Sequence, residues 1–368
     1  VATNPGLSLC LIARDSAATL ERCLKSVEGL VDEIVLVDTG SSDNTLEMAR
    51  SLGAVVFQRP WTDDFAAARN AAIDAATMPR ILFLDSDEFV APESREALAG
   101  LRTAPLLGYS VTLQDIEPGG RRGRLCRITR AFPRNSLIRY RWPVHEQVDE
   151  ALKESGIPVM ASPLLVLHTG YATREARVAK QRRNLEILQR QLSGQSGQPV
   201  AMTLYLAGGA WLDLGRPSEA RELFERCRRS CEVGSELEQA ALVRTGTCFA
   251  LLKEWGALAG LEGAGPVDGW HPELWMLRGK AALELGSADA PAWFLRVIRS
   301  TPKARIPPYD PGLLLVEAVV GLATYLNGPG GRPDVGLELL RCVLAQRDQG
   351  DFSPDLYLDL LARNGLAD

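Results

Sequence analysis

Histidine is scarce in this chain. Its 368 residues include three, His145, His168 and His271. That leaves little material for a metal site built from protein ligands alone, and Cys227 and Cys231, one helical turn apart, are too few to make one. No apolar run is long enough to cross a bilayer. The opening residues, Val1 to Gly6, lead into a strand without the basic region and apolar stretch of a signal peptide. Positive charge is not in excess: the net charge is -5, which gives no footprint for nucleic acid. No Gly-x-Gly-x-x-Gly follows the first strand and there is no phosphate-loop lysine, so a dinucleotide dehydrogenase or P-loop kinase is poorly supported. The seven cysteines are odd in number and lie mostly in apolar periodic segments. They read as reduced core thiols of a cytoplasmic protein.

What is present is an ordinary globular composition and a regular alternation of elements. Apolar runs at Leu7 to Ile12, Ile34 to Val37, Ala54 to Phe57 and Ile81 to Leu84 read as strands. Between them, Ala17 to Val27, Thr45 to Leu52 and Asp64 to Ala76 carry helical spacing. This rhythm predicts an α/β domain whose sheet is mostly parallel, with helices on both faces. Further strands are expected at Tyr109 to Leu113, Ile128 to Phe132 and Leu164 to Leu167, and a helix at Glu93 to Arg102. Glu117 to Arg124 reads as a charged hairpin loop or flap.

Candidate chemistry sits at the strand ends. The fourth strand runs directly into Asp85, Ser86, Asp87 and Glu88. Open α/β sheets bind ligands at that edge. Asp85 and Asp87, two apart, can share a face toward one hard cation whose other ligands are the phosphates of a sugar nucleotide. An acidic strand-to-helix turn is the plain alternative. Asp38 ends the second strand ahead of a Thr39-Gly40 turn, where a carboxylate can receive a ribose or base edge, or merely close the turn. Arg69 lies among Ala66, Ala67, Ala68, Ala71 and Ala72, small neighbours that let its guanidinium approach a diphosphate, or pair with Asp63 or Asp64. His145 and Glu146 are adjacent, and His168 follows a strand, whereas His271 precedes Pro272 between two helices and reads as structural.

A long helix over Arg174 to Leu192 leads to a Gly/Ser/Gln linker, Ser193 to Pro199. Beyond it come helix pairs. Trp211 to Gly215 and Leu283 to Gly286 stand about two tetratricopeptide periods apart, and Ala220 with Phe224 suits the small-then-large contact of that repeat. The expected organisation is therefore residues 1–170 as the α/β domain, 171–198 as helix and linker, and 199–368 as an all-α repeat domain. Such stacks offer a concave surface to a peptide, a partner or a second subunit. Trp255, Trp270 and Trp275 are expected at the surface, where they would suit a homodimer.

Taken in one order, Asp38-Thr39-Gly40-Ser41 with Asp43, the run Asp64 to Asn70, Leu84 to Glu88, Val144 to Gln147 and His168 to Tyr171 resemble glycosyltransferase family 2. The resemblance is to the bacterial branch with tetratricopeptide repeats behind an A-type (GT-A) transferase domain, similar to peptide S-glycosyltransferases. It implies a nucleotide-sugar-dependent transferase, UDP-glucose-like in donor, inverting, with Mn or Mg. It implies that Asp38 holds the nucleoside, Arg69 approaches the donor, Asp85 faces its ribose or sugar, and Asp87 ligates the metal. Glu146 is the expected base, with His145 as its orienter or a metal ligand. His168 is the competing metal ligand or base. After the first strand the family usually has Lys-Asn-Glu-Glu, and this chain has Arg14-Asp15-Ser16-Ala17. Arg14 and Asp15 are thus donor-side candidates whose change bears on nucleotide choice. The expected acceptor is a peptide or natural product held between the domains, with no nucleic acid and no membrane insertion. The alternative is a transferase-like domain that has lost activity and serves as a repeat-based binding or scaffold protein.

Overall fold

The computed structural model describes residues 5–116, 119–169, 174–194, 199–300, 311–329, 331–347 and 354–366. Two compact units divide the chain, Val1–Ile187 and Leu188–Asp368. Glu117, Pro118, Gly170, Tyr171 and most of the linker fall outside the described residues.

The first unit begins β1 (Leu7–Ala13), α1 (Ala17–Ser26), β2 (Glu33–Asp38), α2 (Thr45–Ser51), β3 (Val55–Gln58), α3 (Phe65–Ala75) and β4 (Arg80–Phe83). It continues β5 (Glu88–Val90), α4 (Arg95–Leu101), β6 (Gly108–Ile116), β7 (Arg122–Pro133), α5 (Asp149–Glu154) and β8 (Val159–His168). Strand residues alternate between two cores, as a doubly covered sheet requires. Leu7, Leu9 and Leu11 of β1, Leu36 of β2 and Leu82 of β4 pack with Leu20, Leu24 and Leu98 on one face. Cys10, Val35, Val37, Ile81 and Phe83 pack with Ala66, Ala72, Ile73 and Leu152 on the other.

The sheet has eight strands in the order β3-β2-β1-β4-β7-β6-β8-β5. The pairings β3-β2, β2-β1, β1-β4 and β6-β8 are parallel. Those of β7 with β4 and β6, and of β5 with β8, are antiparallel. The sheet is thus more mixed than the opening βα rhythm suggests. The charged segment expected as a hairpin loop joins β6 to β7: Gly119 to Arg121 lie outside the strands, and β7 starts at Arg122, paired through Ile116↔Arg122. A three-residue strand, β5, also follows the acidic turn where none was expected.

α6 (Arg174–Ser193) runs through the division between the units. The second unit holds α7 (Val200–Asp213), α8 (Pro217–Arg229), α9 (Glu236–Leu251), α10 (Trp255–Ala259), α11 (Pro272–Glu284), α12 (Ala290–Ser300), α13 (Pro311–Leu326), α14 (Pro333–Arg347) and α15 (Pro354–Arg363). Glycine meets phenylalanine at equivalent places. A Cβ on Gly208 would sit 2.7 Å from the Phe224 ring, and one on Gly279 2.7 Å from the Phe294 ring. Gly215 and Gly286 follow α7 and α11 with φ of +74° and +67°, the left-handed helix stop. Trp270 and Trp275 are not surface residues. Both are buried in the main apolar cluster, with Trp255 packed against it, and their indole N–H groups donate to Gly265 O and Val267 O. Trp270 and Trp275 therefore offer no docking face. His271 caps α11, its Nδ1 accepting from the Glu273 N–H at 3.3 Å.

Candidate active site

The acidic turn after β4 is built by its own residues. Glu88 N–H donates to Asp85 O at 2.9 Å, and Asp85 N–H donates to Glu88 Oε2 at 2.9 Å. This closes a four-residue turn and leaves Asp85 and Asp87 partly exposed, at 33% and 28% of the side chain. Their surroundings differ.

Asp85 lies between two buried arginines. Arg69 Nη2 donates to Oδ1 at 2.7 Å and Arg130 Nη2 to Oδ2 at 3.0 Å. Burial alone would raise the Asp85 pKa, but the two guanidinium groups and the charge of Lys180 hold it well below the carboxylate range. Arg69 comes from α3, which starts at the Asp64 cap (Ala67 N–H to Oδ1, 2.8 Å) and packs through alanines. Its Nε donates to Glu146 at 2.6 Å, and its plane lies over the rings of Phe83 and Tyr140. Arg69 therefore joins two carboxylates. Only Nη1 lacks a partner, and it is buried. The open guanidinium expected to grip a diphosphate is not what the fold presents.

Asp87 faces His168. Its Oδ2 lies 3.4 Å from His168 Nε2, and His168 Nδ1 lies 2.8 Å from Asp115 Oδ1. Strand register makes this row: β5 pairs Glu88 with His168, and β6 pairs Asp115 with His168. Burial would lower the His168 pKa, but the hydrogen bond and charge of Asp87, the hydrogen bond of Asp115 and the charge of Glu88 carry it up to about 9. With Nδ1–H given to Asp115, Nε2 is the ring nitrogen that can meet a cation. Among the described residues no group of three or more His, Cys, Asp or Glu side chains is arranged to hold a metal. Asp87 and His168 could supply two ligands to a cation such as Mg or Mn, whose other ligands would be phosphate and water.

His145 and Glu146 part company. His145 has φ of +56° and is exposed, and the bend it makes turns Glu146 inward onto Arg69 with 13% of its side chain accessible. The two do not share a face. Asp38 is fully buried, and its carboxylate accepts from Gly40 N–H at 3.0 Å, from Ser41 N–H at 3.1 Å and from the Ser41 hydroxyl. It closes the turn after β2, a structural duty that leaves no exposed carboxylate for a nucleoside. Asp15, at φ +47°, accepts from Ser42 N–H at 2.7 Å and Oγ at 3.0 Å, tying the loop after β1 to the loop after β2. Arg14 beside it is exposed.

The residue that sequence reading missed is Arg130. It sits in β7, where the register Leu82↔Ala131 brings it to the end of β4. Its signal was faint, because β7 also carries Arg122, Arg124 and Arg127, and only Arg130 falls beside the apolar Ala131 and Phe132, a position charges occupy only when paired. Asp115 was missed for a similar reason, as an acid at a strand end whose partner lies 53 residues on. Lys180 and Arg183 of α6 also bear on the site. Arg183 lies 4.8 Å from the Phe65 ring, and the Glu146 and Arg14 charges reach it.

The open mixed sheet, with Asp85 clamped and Asp87 facing His168 beyond the end of its fourth strand, is the arrangement of a GT-A type unit. A model described as glycosyl transferase family 2 matches residues 8–149. A TPR repeat-containing protein of Synechococcus elongatus is 33% identical over 287 residues, 69% of this chain and 70% of that protein. The prophage-derived glycosyltransferase SunS of Bacillus subtilis is 25% identical over 202 residues, 53% of this chain and 47% of its own length. Among solved structures, glucosyl-3-phosphoglycerate synthase of Mycobacterium tuberculosis, crystallised with Mn2+, uridine diphosphate and its glucosylated product, matches at TM-score 0.35 and 20% identity over 50% of this chain and 80% of that one. The chain belongs to glycosyltransferase family 2, in the form that carries tetratricopeptide-like repeats behind the transferase unit.

Proposed function

We propose that the chain moves a hexose, with inversion, from a UDP-glucose-like donor to a peptide or natural-product acceptor. The observation that carries this reading is the convergence of Asp87 Oδ2 and His168 Nε2, 3.4 Å apart beside the clamped Asp85. Asp87 and His168 would hold Mn or Mg, and the bound ion would supply positive charge to the departing diphosphate. Asp85 is fixed and ionised, and it accepts hydroxyl hydrogen bonds from the donor ribose or sugar. Arg69 supports both Asp85 and Glu146 and touches neither reacting atom. In the transfer step the acceptor heteroatom bonds to the anomeric carbon as the bond to the diphosphate oxygen breaks. The electron pair leaves with the nucleoside diphosphate, and the acceptor proton passes to Glu146. Oε1 of Glu146 is engaged by Arg69, so Oε2 is the receiving oxygen.

Glu146→Gln tests the base. Turnover should fall by roughly a hundredfold or more while donor affinity is kept, since general-base catalysis is worth about 100 to 10,000-fold. Wild-type turnover excludes Glu146. A screen of nucleotide sugars with Mn, read by mass of the acceptor product, identifies sugar and attachment atom together. Absence of both donor binding and turnover with every sugar would instead favour a scaffold protein.

A further inference from the structure

We infer that Arg130 is a positioning residue for Asp85, and that buried Glu88 is the counter-ion that fixes Arg130 in place. The inference rests on the reading of Asp85 as a donor-facing carboxylate.

Arg130 and Glu88 are both almost inaccessible, at 5% and 1% of their side chains. One nitrogen, Nη2, reaches Glu88 Oε1 at 2.5 Å and Asp85 Oδ2 at 3.0 Å. A cation needed only to neutralise Glu88 would have no reason to share its donor with a second, partly exposed acid. Asp85 is gripped from the other side by Arg69 of α3 on Oδ1. With one guanidinium from a helix and another from a strand on its two oxygens, the carboxylate cannot turn about its own bond. Each oxygen keeps a lone pair for an incoming hydroxyl. Glu88 reinforces the arrangement, because its second oxygen accepts Asp85's own N–H. The side chain and main chain of Asp85 thus hang on the same buried pair. Burying two such charges costs several kcal/mol that packing alone does not recover. A fixed carboxylate at the sheet's ligand edge is what that cost secures.

The alternative role is neutralisation of Glu88, and a charge-balanced double variant separates the two. Glu88→Gln/Arg130→Met removes both buried charges at similar volume, and Arg130→Lys keeps the charge but not the planar fork. Both are compared with Asp85→Asn in Mn-dependent hydrolysis of UDP-glucose, with Mn affinity of each protein measured by calorimetry without donor. The double variant should stay folded and keep Mn affinity close to wild type at a pH above 9, where His168 is unprotonated and the lost Glu88 charge no longer bears on its proton. Its KM for the donor should rise roughly tenfold to a hundredfold, the worth of a charged hydrogen bond. Arg130→Lys should fall between it and the wild type. A folded double variant with wild-type KM and kcat overturns the role and leaves Arg130 a counter-ion. If the double variant does not fold, Arg130→Lys decides: a raised KM with intact Mn affinity supports the role, and a wild-type KM overturns it. Wild-type donor kinetics in Asp85→Asn would remove the reading of Asp85 itself, a distinct failure that also overturns the inference.

Discussion

In the unit ending at Ile187, the buried side chains include Asp38, Arg69, Glu88, Arg130 and His168. Among the described residues of the unit starting at Leu188 they are mostly leucine, alanine, valine and aromatic side chains, with Thr203, Glu238, Thr245 and His271 as the polar minority. The first unit spends stability at its strand ends, since each buried ion costs several kcal/mol before pairing. The second gains stability by shape: Phe224 fits over Gly208, and Phe294 over Gly279 and Gly321. Charge is buried where chemistry needs fixed dipoles, and shape is repeated where a scaffold needs stacking.

That contrast can be broken from the repeat side. Phe294→Ala should destabilise the second unit by about 3–5 kcal/mol, the cost of emptying an aromatic site. Donor binding by the first unit should persist. Urea unfolding followed by circular dichroism, with donor hydrolysis measured at each point, checks this. Parallel loss of both signals would mean that the units share one cooperative transition.

From the transferase side, Asp115→Asn should weaken Mn binding by roughly tenfold to a hundredfold, the usual effect of losing the partner of a histidine ligand. Melting should change little. Calorimetric titration with Mn and UDP reads the effect, and unchanged affinity would remove Asp115 from the site.

A smaller and graded effect is expected from pH. The pKa of His168 is raised from its ordinary value near 6.5 to about 9. A raised folded-state pKa stabilises the metal-free protein fully below about pH 6.5, and that contribution is lost as pH climbs through 9. A cation must displace the His168 proton, so Mn affinity should grow by up to about tenfold per pH unit between 7 and 9. Proton release measured in two buffers of different ionisation enthalpy tests the sign. A flat profile would mean that His168 is not a ligand.

Much of this was legible in the residues themselves. The alternation of Leu7, Leu9 and Leu11 with Ser8 and Cys10 states a strand covered on both faces, and the acids after Leu84 mark its ligand edge. The helix pairs follow from their Gly stops. What stayed hidden depends on distance along the chain or on local backbone. Arg130 lies 45 residues from Asp85, and no periodicity reports that pairing. Asp38 suited either a nucleoside or its own turn, and its three donors from Gly40 and Ser41 are not legible from residue type. His145 and Glu146 are neighbours whose directions depend on the backbone, and the left-handed conformation at His145 with Glu146 turned onto Arg69 is not written in the residue types. Trp270 and Trp275 looked exposed, and nothing in the residue pattern shows that the carbonyls of Gly265 and Val267 receive their N–H groups.

On the proposed function, donor binding runs through a cation held by Asp87 and His168. Calorimetry of UDP-glucose binding, with and without Mn, on the wild type and on Asp87→Ala tests it most directly. The expected result is a Mn-dependent gain in affinity in the wild type that is absent from a folded Asp87→Ala protein. An equal Mn-dependent gain in both would contradict it.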